Sequence, residues 1–299
     1  MVLKPAGQTP LSALLLGELE TEAGLPPGWL NVLVGPSAEI GDVLVEDERV
    51  KLITFTGSSG VGWKIRERAA KKRVNLELGN ATPVVVEADA EIEEAATKLA
   101  ANAFSFAGQS CISVQRIYVQ RDAYEDFVSR FVLKVQALKV GDPGEEDTDV
   151  GPVIDEDARD RIVSWVEEAK SAGATVLTGG EVVDGLLQPT VLADVKPDMK
   201  VSCQEVFGPL CTVSAYDSSE EAFELANGTV YGLQAGIFTA NLKTALAAAR
   251  SSPASQRRRH LLRPNGPTES TPSRHPVGCG ANGAGSRAGG RTRSAMSAA

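Results

Sequence analysis

Short apolar runs alternate with amphipathic stretches along most of the chain, which is typical of a parallel α/β architecture. Runs rich in Val, Ile and Leu predict buried strands, and apolar positions three or four apart predict helices packed on them. The first part of the chain predicts helices at 9–24, 38–46 and 60–72, and strands at 29–34, 50–55 and 74–78. Thr9 is the predicted cap of the first helix, with Pro10 at its first position. This order is that of a doubly wound βα series.

The alternation resumes after Gly79 and predicts a second α/β unit. Its predicted helices span 91–107, 124–137, 159–172, 220–226 and 242–250. Its predicted strands span 83–86, 115–119, 174–178, 190–192, 212–215 and 232–239. We therefore expect one domain in residues 1–79 and another in residues 80–250.

The pattern stops near residue 250. Residues 251–299 contain eight arginines, one glutamate and no aromatic residue, and twenty of these 49 positions are Gly, Pro or Ser. A segment with so few apolar side chains cannot supply a core, so we predict a disordered basic tail. Its composition fits a nucleic-acid-binding arm, a linker or the translation of a shifted reading frame.

Charge and hydropathy narrow the class of function. The chain has 30 Lys and Arg against 39 Asp and Glu, a net charge of −9, and the basic tail leaves residues 1–250 still more acidic. This balance disfavours nucleic acid as a partner. No apolar run approaches the roughly 18 residues of a membrane-spanning helix. Glu18 and Glu20 follow the Leu-rich start and argue against a signal peptide. We expect no membrane contact and a cytoplasmic location.

The cysteines and histidines do not suggest a metal site. The chain has four cysteines and two histidines: Cys111, Cys203, Cys211, Cys279, His260 and His275. There is no C-x-x-C pair and both histidines lie in the tail, so we predict no metal site. Cys203 and Cys211 are interpreted as structural.

Two residues are candidates for covalent and acid–base chemistry. Cys111 follows a turn of small residues at the end of an apolar helix, where its thiolate would be a nucleophile, although a lone cysteine is more often buried and inert. Because residues 1–250 contain no histidine, a papain-like Cys/His pair is excluded. Glu77 ends an apolar strand, where partial burial beside Leu76 and Leu78 would raise its pKa and suit it to general-base catalysis. The alternative is a carboxylate in a salt bridge or in water.

Three further segments suggest nucleotide binding. Residues 55–62, FTGSSGVG, place glycines between a strand and a helix, where backbone N–H groups bind phosphate, unless this is a bare turn. Glu205 and Phe207 lie in QEVFGPL, a turn that would hold a ribose and a flat heterocycle or be purely structural. Lys4, in KPAGQTP, would meet a phosphate or ribose, or simply be solvated.

Taken in order, these segments resemble the aldehyde dehydrogenase superfamily from Lys4 to about Arg250. KPAGQTPLSAL and FTGSSGVG are similar to its ribose and phosphate segments, LELGN to its general-base segment and FAGQSC to its nucleophile segment. EVFGP and ANGTVYGLQAGIFT match further family landmarks, and LELGNATP with AGQSCISVQR resembles the lactaldehyde or general aldehyde branch. The resemblance implies an aldehyde dehydrogenase-like α/β fold, with an incomplete Rossmann-type cofactor domain and a second α/β catalytic domain.

The resemblance also implies a reaction, the oxidation of a small aldehyde to a carboxylic acid with NAD or NADP. Cys111 would add to the carbonyl and form a thiohemiacetal, and loss of a hydride would leave a thioacyl enzyme. Glu77 would activate the water that hydrolyses this thioester, or deprotonate Cys111. The backbone N–H of Cys111 would supply half of an oxyanion hole.

Cofactor contacts follow from the same resemblance. Lys4 would contact the adenosine ribose or its phosphate, and Gly57 and Ser58 the pyrophosphate. Glu205 would hold the nicotinamide ribose, with Phe207 near the ring.

Some features depart from the family pattern. Gly7 stands where the family has Glu or Ser near the ribose, which leaves NAD against NADP open, and Asn80 replaces the second glycine of E-L-G-G. Family segments before Lys4 and after Arg250, including an oxyanion-hole asparagine and an oligomerisation strand, are not matched. We therefore expect impaired activity and a frameshifted tail. The family forms homo-oligomers, which remain possible for this chain, but we expect its oligomerisation segments to be missing. The alternative is a non-catalytic remnant that at most binds nucleotide or pairs with an intact homologue.

Overall fold

The computed structural model describes residues 1–69 and 71–251. The chain divides into two compact units, residues 1–79 and residues 80 onward, and each is described by itself. The predicted tail lies outside the described residues except for Ser251, which ends the last helix.

The first unit contains two separate pairs of parallel strands. Its elements are β1 (Val2–Leu3), α1 (Leu11–Glu22), β2 (Asn31–Val32), α2 (Ser37–Glu46), β3 (Leu52–Gly57), α3 (Ser59–Arg68) and β4 (Arg73–Leu78). β1 pairs with β2 and β3 pairs with β4, both in parallel. The expected order of strands and helices is present, but within the described residues these strands form two pairs and not one continuous sheet.

The predicted start of α1 is wrong by one position. The helix begins at Leu11, Pro10 occupies the capping position, and no side chain caps the N-terminus. The N–H of Thr9 instead donates to Ala6 O at 3.3 Å. Thr9 is therefore part of a turn that closes before the helix begins, and its hydroxyl does not serve as a cap.

The first unit buries few side chains. Only Val45, Gly62 and Ala69 are buried among its described residues. Leu11 and Leu15 of α1 are exposed, and the helix has no buried residue. Two-stranded sheets are marginal without an apolar layer against them. The hydrophobic burial that stabilises this structure is therefore concentrated in the second unit.

The second unit is built on a six-stranded sheet. Its elements are β5 (Thr82–Val86), α4 (Ile92–Phe104), β6 (Val114–Gln120), α5 (Arg121–Gln136), α6 (Glu156–Ser171), β7 (Thr175–Thr178), β8 (Val182–Val183), β9 (Leu186–Leu187), β10 (Thr190–Ala193), α7 (Lys200–Cys203), β11 (Leu210–Tyr216), α8 (Ser219–Ala226), β12 (Gly236–Phe238) and α9 (Leu242–Ser251). The strand order is β12-β5-β6-β11-β10-β7. All neighbours are parallel except β10 and β7, and β8 and β9 form a small separate hairpin.

The apolar core lies on both faces of the central strands. Alternate residues of β5 and β6 pack on different clusters: Val86 and Ile117 pack with α4 and α5, whereas Val85 and Tyr118 pack with α8. A third cluster joins α6 to β10. Because both faces are covered, the inner strands are nearly continuous apolar runs, which explains why the sequence pattern identified them.

One strong exception to this apolar pattern is Arg116, which is 2% exposed in the middle of the sheet. Its Nε donates to Ala81 O at 3.0 Å, its Nη1 to Leu225 O at 3.1 Å, and its Nη2 to Ala226 O at 3.0 Å. Leu225 and Ala226 end α8, where the helix dipole favours a positive charge. Arg116 therefore ties the start of β5 and the end of α8 to β6.

Candidate active site

A tight left-handed turn at the end of α4 precedes Cys111. A single turn of 3-10 helix, Ser105–Gly108, contains Phe106, Ala107 and Gly108 with φ angles of 52°, 53° and 68°. Side chains disfavour this conformation, so surrounding contacts must hold it. A Cβ on Gly108 would lie 2.0 Å from Gly208 O, so only glycine fits where this turn meets the Glu205 segment.

Cys111 is exposed on the turn that follows. The N–H of Ser113 donates to Ser110 O at 3.0 Å, and its hydroxyl donates to Ala103 O at 3.0 Å, which fastens the turn to the end of α4. Cys211, by contrast, is fully buried, and burial raises the pKa of its thiol. Cys111 therefore has the access that a nucleophile requires, whereas the inert reading applies to Cys211.

Glu205 lies in a loop between α7 and β11 and is partly buried. Its Oε1 accepts a hydrogen bond from the N–H of Asn80 at 2.9 Å, and its own N–H donates to Tyr231 Oη at 3.0 Å. Burial raises the pKa of Glu205, against the opposing effects of the Asn80 N–H and the positive charge of Arg161. The carboxylate is thus held in place before any ligand arrives.

Phe207 and Gly208 complete this loop. Phe207 is exposed and has a left-handed φ of 48°. Gly208 is buried, and a Cβ there would lie 2.2 Å from the side chain of Ile162. An exposed aromatic ring in a strained backbone conformation is suited to contact a flat ligand.

A small polar pocket brings these two segments together. It is lined by Asn80, Gly108, Ser110, Ser113, Gln115, Glu205, Phe207, Gly208 and Leu210. Glu205 and Phe207, which are 94 and 96 residues beyond Cys111 by number, thus share a pocket with its neighbour Ser110. Cys111 itself is not among the lining residues.

Four residues of this site were not singled out for it from the sequence: Asn80, Gln115, Arg161 and Tyr231. Arg161 donates from Nη2 to Val206 O at 2.8 Å and stacks on the ring of Trp165 at 4.8 Å. Burial lowers the pKa of Arg161, although Glu205 opposes this. The sequence did not reveal this role, because an arginine in a predicted helix usually lies on the solvent-exposed face. For Gln115 a signal existed, since a polar residue inside an apolar strand requires buried partners.

In the first unit, the glycine turn leads from β3 into α3. Ser58 occupies the N-cap position in an extended conformation without a side-chain cap hydrogen bond. A Cβ on Gly57 would lie 2.6 Å from the ring of Phe55, whereas a Cβ on Gly60 would meet open space. A helix N-terminus with uncapped N–H groups and no side chain above Gly60 fits a phosphate group.

The other two predicted residues of the first unit have different surroundings. Lys4 directly follows β1, is partly buried, and donates from Nζ to Pro5 O at 2.8 Å. Glu77 is exposed, so its predicted partial burial is wrong. Side chains alternate between the faces of a strand, so the partly buried Leu76 and Leu78 lie on the face of β4 opposite to Glu77.

The part of the chain that the structure describes holds neither a metal-binding cluster nor a membrane-spanning helix. Residues 1–69 and 71–251 contain no group of three His, Cys, Asp or Glu side chains arranged to hold a metal ion. In the same ranges, every helix is too short or too polar to cross a bilayer.

Comparisons with known proteins agree on one family. The model of the aldehyde dehydrogenase family matches residues 1–293. The chain is 47% identical over 250 residues to a 3-sulfolactaldehyde dehydrogenase of Priestia megaterium, covering 84% of this chain and 52% of that protein. It is 41% identical over 252 residues to a 1-pyrroline-5-carboxylate dehydrogenase of Geobacillus kaustophilus, covering 81% of this chain and 49% of that protein.

Solved structures give the same result. The structure of an NAD-dependent aldehyde dehydrogenase from Sinorhizobium meliloti is similar with a TM-score of 0.82 at 40% identity, over 84% of this chain and 51% of that one. Lactaldehyde dehydrogenase from Escherichia coli has a TM-score of 0.82 at 36% identity, over 84% and 54%. The chain spans about half the length of the relatives it matches.

Proposed function

Because the chain belongs to the aldehyde dehydrogenase family, we propose that it oxidises a small aldehyde to a carboxylic acid with NAD or NADP. The observation that carries the proposal is the exposed Cys111 directly after Ser110, which lines a polar pocket together with Glu205 and Phe207. Similar solved structures include both an NAD-dependent and an NADP-dependent enzyme. The similarity to sulfolactaldehyde and lactaldehyde dehydrogenases favours a small hydroxyaldehyde as substrate.

Cys111 performs the covalent step. Its thiolate sulfur forms a bond to the carbonyl carbon, and the carbonyl π electrons move onto oxygen, where the backbone N–H of Cys111 stabilises the negative charge. A bound nicotinamide cofactor would supply the hydride acceptor for this carbon, which loses the hydride as the C=O bond re-forms. The enzyme then carries a thioester at Cys111.

Glu77 serves the hydrolytic step. Its carboxylate takes a proton from water, the resulting hydroxide adds to the thioester carbon, and the C–S bond breaks to release the carboxylic acid and the thiolate.

Five residues are the candidate contacts of the cofactor. The N–H groups at Gly57 and Ser58 and at the N-terminus of α3 would hold the pyrophosphate, and Lys4 would hold the adenosine ribose or its phosphate. The Glu205 carboxylate would accept hydrogen bonds from the nicotinamide ribose hydroxyls, and the exposed ring of Phe207 would contact the nicotinamide.

The test measures NAD(P)H produced by the purified chain from a panel of small aldehydes that includes lactaldehyde. We expect aldehyde-dependent production that Cys111→Ser abolishes. Cys211→Ala is the matched control, because it removes a buried thiol and should leave the production intact. A folded wild-type chain that produces no NAD(P)H with any aldehyde would refute the proposed oxidation.

The exposure of Glu77 favours a second candidate, nucleotide binding without turnover. On the exposed face of β4, the carboxylate lacks the burial that commonly tunes a general base. Calorimetric titration with NAD separates the two functions. NAD binding without aldehyde oxidation supports the second candidate. A chain that neither binds NAD nor oxidises an aldehyde contradicts both candidate functions.

A further inference from the structure

Gln115 is buried directly downstream of the nucleophile turn. It is the second residue of β6, four positions after Cys111, and is 5% exposed. Burying an amide side chain costs free energy unless its donors and acceptor are all paired. The partners of Gln115 therefore show what the residue is for.

The amide of Gln115 binds the backbone on both sides of Glu205. Its Nε2 donates to Gln204 O at 2.7 Å and to Val201 O at 3.0 Å, and its Oε1 accepts from the N–H of Val206 at 2.9 Å. A reversed amide would put oxygen against two carbonyls and NH2 against an N–H, so these partners allow a single orientation. One side chain thus fixes both residues that flank Glu205.

Other contacts hold the same loop from different elements. The N–H of Asn80 reaches the Glu205 carboxylate, Tyr231 Oη accepts from the Glu205 N–H, and Arg161 donates to Val206 O. Among these four residues, Gln115 is the one on the strand that leaves the Cys111 turn. It therefore connects the position of Glu205 to the position of the nucleophile.

We propose that Gln115 is a positioning residue, which holds Glu205 in register with the Cys111 turn so that the carboxylate meets a ribose of the cofactor. The inference rests on the proposed function, in which Glu205 binds that ribose. A merely structural role for Gln115 would affect the stability of the fold without selectively affecting recognition of this sugar.

The experiment compares the binding of ADP-ribose and ADP to the purified chain by calorimetry. ADP-ribose carries the terminal ribose that Glu205 is proposed to bind, and ADP lacks it. We expect wild type to bind ADP-ribose more tightly than ADP. Gln115→Met removes the hydrogen bonds at similar volume and should reduce this preference about three- to tenfold, the range for losing one or two net hydrogen bonds. Its ADP affinity should not change.

The matched control is Gln120→Met on the same strand. Gln120 also accepts a hydrogen bond from a backbone N–H, that of Ala88 at 2.8 Å, but lies at the other end of β6. This variant should keep the wild-type preference. In a Glu205→Ala background, Gln115→Met should have no further effect on the preference, because a positioning residue acts through the group it positions.

Each outcome has a defined meaning. An unchanged preference in Gln115→Met, an equal loss of affinity for both ligands, or an additive effect with Glu205→Ala would overturn the inference while leaving the proposed function intact. A wild-type chain without ribose preference, or without binding, would overturn the proposed role of Glu205 and this inference with it. If Gln115→Met does not fold, Gln115→Asn, which keeps an uncharged amide but shortens its reach to the loop, decides by the same ratio.

Discussion

Replacing Arg116 by methionine should strongly destabilise the second unit. Methionine fills much of the volume but leaves Ala81 O, Leu225 O and Ala226 O without the donors they have in the wild type. A buried group that loses its partner costs about 1–3 kcal/mol. Losing the buried cation recovers part of its desolvation cost, so we expect the free energy of unfolding to fall by about 3 kcal/mol.

The assay follows urea unfolding by the fluorescence of Trp165, which lies in the second unit. Trp29 and Trp63 belong to the first unit, and replacing both by phenylalanine makes the signal specific for the second. The midpoint should shift to lower urea with an unchanged slope, because the surface exposed on unfolding is the same.

Arg121→Met is the control for this prediction. Arg121 begins α5 next to β6, and its ion pair with Asp217 is exposed, so losing it should have only a small effect on stability. Arg116→Lys should lie between the two, because one ammonium group cannot reproduce the planar fork of the guanidinium. If Arg116→Met cost no more than Arg121→Met, the assignment of Arg116 as a structural tie would be wrong.

Three further predictions concern the site itself. Gly108→Ala should destabilise the second unit by about 2 kcal/mol more than Gly173→Ala. Both glycines have a positive φ, but only a Cβ at position 108 would lie against a backbone oxygen. Urea unfolding of both variants measures the difference in stability. Iodoacetamide should modify Cys111 in the native protein and Cys211 only after unfolding, because Cys211 is buried and burial raises the pKa of its thiol. Peptide mass spectrometry measures the labelling of both cysteines. Equal labelling of the two in the native protein would contradict this prediction. Glu205→Gln should flatten the loss of stability with rising pH. Because the pKa of Glu205 is raised on folding, the folded chain binds more protons, so wild type loses stability as the pH rises from the ordinary value of 4.5 through the raised value. Parallel slopes in pH-dependent urea titrations would contradict the predicted shift.

The local sequence pattern was sufficient to predict the helices and strands and to recognise the family segments. The period of two in β4 and the period near 3.6 in α4 and α5 are properties of consecutive residues, so the sequence alone predicted these elements to within a few positions. The ordered segments around Glu77, Cys111 and Glu205 identified the family for the same reason. Short elements such as α7 and the β8–β9 hairpin were missed because two to four residues carry no readable period.

The faces and partners of individual side chains were decided by the tertiary structure. Nothing local indicates that Gln115 meets Val201, 86 residues away, or that Arg116 meets Leu225, 109 residues away. The same holds for the exposure of Cys111 and the burial of Cys211, which look alike in the sequence. A side chain's burial and its hydrogen-bond partners depend on segments that only folding brings together, and these contacts determine whether a candidate residue is placed to act.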